Sequence, residues 1–311
     1  MKGKRILVTG ATGFLASHLI PRLVRAHAFV VALVRDFVQE KMIHQSSDAI
    51  VRGACEDRDI IARTIAEYDI DTIVHLAAQT QVSTAINEPI STFRTNIEGT
   101  WSILESARCS KTIKRIVIAS SDKSYGAGDV PYSEDCNGLA GGAPYETSKA
   151  CADLIAQSYA RTYGMSIGIT RCGNLYGPGH LNWSTLIPGT IRRIFRKEPP
   201  VIAGDGMSKR DFLFIDDAVD AYCRMIESDY VGPINFGTDV PTTVFDVIST
   251  IKRIMKSPIE PRFIEASKHE IRDQWLHSEK ARTVLKWEAK TKFRDGLINT
   301  IPWYVDRLET E

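Results

Sequence analysis

Tyr145 and Lys149 stand four residues apart in the run Tyr145-Glu146-Thr147-Ser148-Lys149. On a helix that spacing places both side chains on one face. A neighbouring ammonium favours a phenolate, so the pair predicts a tyrosine that works as a base near neutral pH. Upstream, the apolar run Ile116 to Ala119 ends in Ser120-Ser121-Asp122-Lys123-Ser124-Tyr125. A hydroxyl there can hydrogen-bond the reacting oxygen of a substrate, and Asp122 and Lys123 add an acid and a base. Near the N-terminus, Val8-Thr9-Gly10-Ala11-Thr12-Gly13-Phe14-Leu15-Ala16 separates a strand-like run from a helical one. Gly10 permits the tight turn, Gly13 lets the backbone approach a pyrophosphate, and Ala16 lets helix and strand pack closely. The helix N-terminus then offers free N–H groups to phosphates. Each feature alone is common; in this order they outline proton transfer beside a bound dinucleotide.

The elements that must position these residues alternate. Arg5 to Val8, Val30 to Val34, Ile50 to Arg52, Thr72 to Leu76, Ile116 to Ala119 and Ser166 to Thr170 read as strands. Between them, Phe14 to Arg25, Ile60 to Tyr68, Ile90 to Ser106 and Tyr145 to Tyr163 carry apolar residues at helical spacing. Strand then helix, repeated, predicts an α/β fold: a Rossmann-type doubly wound parallel sheet covered on both faces. From about Asn174 the rhythm breaks, with Gly and Pro clustered at Gly177-Pro178-Gly179, Pro188-Gly189, Pro199-Pro200 and Gly204 to Gly206. The expected division is a dinucleotide-binding domain over 1–173, with 211–238 returning to it. A smaller substrate-binding lobe is expected over 174–210 and 239–311.

Composition fits that reading. Of 311 residues, 39 are Lys or Arg and 38 Asp or Glu, a net charge of +1 that gives no support to a nucleic-acid partner. Hydrophobic residues at 43% and charged residues at 25% are ordinary for a globular protein. No apolar run approaches the ~20 residues needed to cross a membrane. After Met-Lys-Gly-Lys-Arg the chain enters a strand, which leaves no room for a signal peptide, so a cytoplasmic protein is expected. The six cysteines (Cys55, Cys109, Cys136, Cys151, Cys172, Cys223) include no Cys-x-x-Cys pair and read as reduced thiols, with neither a metal site nor a disulfide framework.

The second strand ends Leu33-Val34-Arg35-Asp36, where an acid holds the ribose 2′-hydroxyl of NAD and an Arg accommodates the 2′-phosphate of NADP. Arg35 favours NADP; Asp36, serving NAD, is the alternative.

Taken together, Gly10-x-x-Gly13-x-x-Ala16, His75-Leu76-Ala77-Ala78, Ser121 and Tyr145-x-x-x-Lys149 resemble the extended short-chain dehydrogenase/reductase family of nucleotide-sugar epimerases and dehydratases. Thr95 to Thr100, Arg171 to Gly179 and Arg210 to Asp217 extend the resemblance over nearly the whole chain. It implies that Tyr145 takes the sugar 4-hydroxyl proton, with Lys149 lowering its pKa and holding the nicotinamide ribose. Ser121 is implied on the 4-oxygen. Gly10, Thr12, Gly13, Phe14, Leu15, Leu76, Ala77 and Ala78 are implied around the dinucleotide. Gln79, Asn174, Arg210 and Arg272 are implied around the nucleotide sugar, and a homodimer through the helices of 90–106 and 145–163. The family places Asp directly after the Gly that ends the third strand, to hold the adenine amine. Here Ala54 follows Gly53, so either Asp57 substitutes or adenine is held more loosely.

The family's shared opening step oxidises carbon 4 of the hexose, and the residues after Ser121 decide the later steps. Asp122 and Lys123 fit the acid and base of a 4,6-dehydratase, and Ser-Asp-Lys is similar to the Thr-Asp-Lys of CDP-glucose 4,6-dehydratases. Arg210-Asp211-Phe212 is closer to the general epimerase pattern, which keeps a 4-epimerase as the alternative. A dinucleotide sensor without catalysis is a remote third, since it has no need of Ser121, Tyr145 and Lys149.

Overall fold

The computed structural model describes residues 1–35, 46–135, 138–266 and 271–310. Seven strands form one parallel sheet: β1 (Arg5–Thr9), β2 (Phe29–Val34), β3 (Ala49–Arg52), β4 (Thr72–His75), β5 (Arg115–Ala119), β6 (Ile167–Cys172) and β7 (Gly232–Phe236). Their spatial order is β7-β6-β5-β4-β1-β2-β3. The order reverses between β1 and β4, and in open α/β sheets the crevice at the carboxyl ends of such a pair receives ligands.

Successive residues of β1 face opposite ways, and both faces are buried. Ile6 and Val8 join a core layer with Leu19 and Leu23 of the helix Phe14–Arg25 and with Ala218 and Met225 of the helix Ile215–Glu227. Leu7 joins a second layer with Ile61, Ile103, Leu104 and Ala156, from the helices Arg58–Glu67, Gly99–Cys109 and Pro144–Tyr163. Each fully buried Val, Leu or Ile contributes roughly 1.5–3 kcal/mol, so the near-continuous apolar strands hold the sheet between its helices. A third layer unites Ile187, Ile191, Val247, Ile251, Leu297 and Ile301 from the helices Leu186–Phe195, Val244–Ile254 and Phe293–Thr310. It belongs to the C-terminal part, which returns to the sheet through β7 beside β6.

Two features differ from the periodicity. The helix expected over Ile90 to Ser106 runs from Pro89 to Cys109 but loosens into a π-helical turn at Arg94–Glu98. The C-terminal part also contains strands of two or three residues, among them Lys209–Arg210 paired with both Thr242–Thr243 and Asp273–Gln274. Runs that short leave no alternating pattern to read.

Among the described residues no helix is long and apolar enough to cross a membrane.

Candidate active site

One cleft of about 1230 Å³ lies along the carboxyl ends of the strands and extends into the C-terminal part. It exceeds the ~300–1,000 Å³ of a typical small-molecule site.

At one end sits the turn after β1. Gly10 has φ +64°, and a Cβ on it would lie 2.7 Å from the backbone nitrogen of Ala77. Only glycine meets both conditions. Gly13 caps the helix Phe14–Arg25 in an extended conformation, with no side-chain cap and no acid in the first turn. Among the described residues no side chain caps the first N–H groups of that helix, and Gly10, Thr12, Gly13, Phe14 and Leu15 line the cleft. Uncapped donors at a positive helix end fit the diphosphate of a dinucleotide.

Leu76, Ala77 and Ala78 line the facing wall. The Thr9 hydroxyl ties this wall to the turn, accepting from Leu76 N and Ala77 N, each at 3.2 Å. It has one proton left and lies 2.8 Å from Nδ1 of His75. That contact fits a neutral ring protonated at Nε2, which faces Thr100 Oγ1 at 3.3 Å while that hydroxyl donates to the carbonyl of Asn96. Burial, aided by the charge of Lys149, pushes the His75 pKa down to about 3, so the ring stays neutral at physiological pH.

Arg35, Leu33, Cys55 and Glu56 line the cleft at the ends of β2 and β3. Asp36 lies outside the described residues. Asp57 is not brought into the cleft: its carboxylate accepts from Asp59 N and Ile60 N, each at 3.1 Å, and caps the helix Arg58–Glu67. The acid facing the cleft there is Glu56, which accepts from Thr95 Oγ1 at 3.0 Å.

The centre is built from the end of β5 and the start of the helix Pro144–Tyr163. Ser121, in extended conformation, caps a short 3₁₀ turn, and its oxygen accepts from Lys123 N at 3.2 Å. Its hydroxyl donates to Asp122 Oδ1 at 3.0 Å. The Asp122 carboxylate, 2% exposed, receives Lys123 Nζ at 3.1 and 3.3 Å. Tyr145 and Lys149 are buried on the facing helix. All five line the cleft.

Burial dominates the electrostatics here. Burial raises the Tyr145 pKa above the ordinary phenol value, and the Asp122 charge adds to the rise; a hydrogen bond with Ser121 acts the other way. The Lys149 ammonium donates to the carbonyl of Ala119 at 2.9 Å. Burial lowers its pKa to about 8, against the opposing charges of Asp153 and Cys172.

At the far end, Asn174 lines the cleft while its Nδ2 donates to the carbonyl of Asp211 at 3.2 Å. Arg210 also lines it, with its guanidinium donating to the carbonyls of Lys209, Arg272 and Ile271 at 2.7–2.8 Å. Arg272 is exposed, not among the cleft-lining residues, and contributes its carbonyl. Gln79 is likewise not among the cleft-lining residues and is held by Asn96 through its backbone N–H and carbonyl at 2.7 and 3.1 Å. The same Asn96 amide donates to Ser148 Oγ at 2.8 Å, so the π-helical turn joins the cleft wall to the helix of Tyr145. Sequence reasoning gave Asn96 no role. It also missed Arg192, Arg193 and Arg262, which line the far end; Arg192 lies 5.0 Å from the Trp183 ring centroid. The Arg192-Arg193 doublet within the helical run was the available signal.

Comparison with known proteins gives the class. The family model of the NAD dependent epimerase/dehydratase family matches residues 6–237, and the chain belongs to that family. A trifunctional UDP-glucose 4,6-dehydratase/UDP-4-keto-6-deoxy-D-glucose 3,5-epimerase/UDP-4-keto-L-rhamnose-reductase from Arabidopsis thaliana is 30% identical over 99% of this chain. The chain spans 48% of that protein, about half the length of the curated relatives it first matches. Among solved structures, a UDP-glucose 4-epimerase from Thermotoga maritima with UDP-glucose superposes with a TM-score of 0.92 at 26% identity, covering 98% of this chain and 99% of that one. A dTDP-glucose 4,6-dehydratase from Bacillus anthracis in complex with NAD gives a TM-score of 0.89 at 26% identity, over 99% and 98%.

Proposed function

We propose that this protein is a nucleotide-sugar 4,6-dehydratase working through a 4-keto intermediate. The observation that carries the reading is the Asp122–Lys123 contact at 3.1 Å, in the cleft beside Ser121 and Tyr145. Transfer of one proton across that contact leaves a carboxylic acid and a neutral amine, the two forms an elimination needs.

When bound, a nicotinamide dinucleotide supplies the acceptor for the carbon 4 hydride and returns it at carbon 6. The uncapped turn at Gly10, Thr12, Gly13, Phe14 and Leu15 binds its diphosphate, and Leu76, Ala77 and Ala78 wall it in. Arg35 supports NADP through the 2′-phosphate, whereas the NAD in the Bacillus anthracis structure supports NAD. Tyr145 takes the 4-hydroxyl proton, Ser121 holds the 4-oxygen and Lys149 supplies positive charge beside them. The Lys123 amine then takes the carbon 5 proton, the carbon 6 to oxygen bond breaks, and Asp122 protonates the leaving hydroxyl as water; once the hydride is returned at carbon 6, the Lys123 ammonium gives a proton back to carbon 5. Asn174 and Arg210 hold the nucleotide end.

The epimerase reading is favoured by the 0.92 superposition on a UDP-glucose 4-epimerase. Mass spectrometry of purified protein with a panel of nucleotide hexoses, NAD and NADP supplied separately, separates the two. A product lighter by one water supports the dehydratase. An isomer of unchanged mass leaves an epimerase, with Asp122 and Lys123 in a positioning role.

The reading includes a homodimer. Ile90, Trp101 and Leu154 are 76%, 43% and 48% exposed on the helices implied in its interface. Light scattering that finds only monomer at micromolar concentration overturns it.

A further inference from the structure

Beneath the cleft lies an ion pair that the proposed reaction does not use. Arg171, on β6, and Asp153, on the helix Pro144–Tyr163, are 2% and 0% exposed. Their contact is a two-pronged fork, Nε to Oδ2 at 2.8 Å and Nη2 to Oδ1 at 2.9 Å. The carboxylate also accepts from Ser120 Oγ at 2.6 Å and from Gln157 Nε2 at 2.7 Å. The remaining arm of the guanidinium donates to Tyr125 Oη at 2.8 Å, and that hydroxyl donates to Asn235 on β7. Ser120 and Tyr125 bracket the segment that holds Ser121, Asp122 and Lys123. Asp153 stands one turn beyond Lys149 on the same helix, and Lys149 itself reaches Ala119, the residue before Ser120.

We propose that Asp153 is a positioning residue for the chemistry of this cleft: with Arg171 it clamps the Ser121–Lys123 turn, through Ser120 and Tyr125, against the helix that carries Tyr145 and Lys149. Both ends of the turn are held, and both holds converge on one buried ion pair. Buried carboxylates and guanidinium groups persist where each is paired and hydrogen-bonded, and losing one member leaves the other uncompensated. Asp153 has a second consequence. Its charge opposes the effect of burial on Lys149. The other groups that feel Lys149 are His75 on β4 and Cys172 on β6. Asp122 acts on Tyr145 and on Cys172, and Tyr222, on the helix Ile215–Glu227, is influenced by the same two residues.

The inference rests on Tyr145 and Lys149 being the reacting pair, whether the product is that of a dehydratase or an epimerase. Its test therefore has one readout free of turnover. Lys149 is followed by NMR titration of its side-chain nitrogen in wild type, Asp153→Asn, Asp153→Glu and Ser120→Ala. In Asp153→Asn the Lys149 midpoint is expected to fall by about one pH unit or more, and in Asp153→Glu to return towards wild type. Ser120→Ala keeps the ion pair and releases only the turn. It is expected to lower kcat by about tenfold, with KM within about threefold, because small misplacements cost rate more than binding. An unmoved Lys149 midpoint in Asp153→Asn, or a wild-type kcat in Ser120→Ala, overturns the proposal. If Asp153→Asn does not fold, Asp153→Glu and Ser120→Ala carry the test. Failure of the dehydratase reading shows separately, in the mass of the wild-type product.

Discussion

Lys149 Nζ donates to the carbonyl oxygen of Ala119 at 2.9 Å, although Tyr145 lies one turn before it on the same helix. Burial, with the charges of Asp122 and Glu146 adding to it, raises the pKa of the Tyr145 phenol and favours its protonated form. A proton acceptor at this position needs a positive charge brought nearer, and Lys149 is the cation on its own helix face. Lys149 is also the group with a pKa near the working range, about 8. Its ammonium is present below that pH and lost above it. If the ammonium is required, activity falls as pH rises through about 8. Lys149→Arg removes that limb, because a guanidinium stays charged throughout. A pH–rate profile of both proteins reads this, and a limb near 8 that survives in Lys149→Arg assigns it to another group.

Asp122 separates oxidation at carbon 4 from loss of water. Its carboxylate contacts both the Ser121 hydroxyl and Lys123 Nζ, so Asp122→Asn keeps the shape and removes the transferable proton. General acid–base groups contribute about 10²–10⁴-fold, and loss of dehydration by a factor in that range is expected. Formation of the 4-keto sugar, trapped by borodeuteride reduction and mass spectrometry, is expected to persist. Full dehydration by Asp122→Asn removes Asp122 from the reaction.

The sheet and the helix Pro144–Tyr163 were legible for a physical reason. β1, β4 and β5 are buried on both faces and read as continuous apolar runs, and Pro144 and Gly164 delimit the helix between them. The turn at Gly10 was legible because positive φ and close backbone approach leave glycine alone. The features that escaped depend on partners distant in sequence. Asp57, one of the two ways the sequence left open for adenine, also caps the helix Arg58–Glu67, a contact set by two N–H groups of the next turn. Asn96 gained its role from a π-helical turn that no 3.6-residue pattern announces. The orientation of Lys149 is set by a carbonyl 30 residues upstream.

Arg35 tests cofactor choice. Like Leu33, it lines the cleft; it stands just past the end of β2. A hydrogen bond from a guanidinium to a phosphate is worth about 1.5–3 kcal/mol, equivalent to roughly a ten- to hundredfold change in affinity. Arg35→Ala is therefore expected to weaken NADP by at least about tenfold, while NAD, which lacks the 2′-phosphate, changes little. Isothermal titration of both dinucleotides against both proteins measures the ratio. Equal losses for the two place Arg35 on a part they share.

Gly10 and Gly164 form a matched pair that separates strain from crowding. Their φ values are +64° and +63°. A Cβ on Gly164 meets nothing within 4 Å, whereas one on Gly10 lies 2.7 Å from Ala77 N and 2.8 Å from its Cα. Gly164→Ala carries left-handed strain alone, so a loss of about 1–2 kcal/mol is expected, with dinucleotide affinity unchanged. Gly10→Ala carries the same strain and also drives Ala77 away from Thr9, opening the wall that Leu76, Ala77 and Ala78 form. A larger loss of stability and at least about a tenfold loss of dinucleotide affinity are expected, since this backbone must approach the pyrophosphate closely. Denaturant unfolding and dinucleotide titration of the two variants side by side give the comparison. If Gly10→Ala binds like Gly164→Ala, the approach of the turn to Ala77 has no part in holding the dinucleotide.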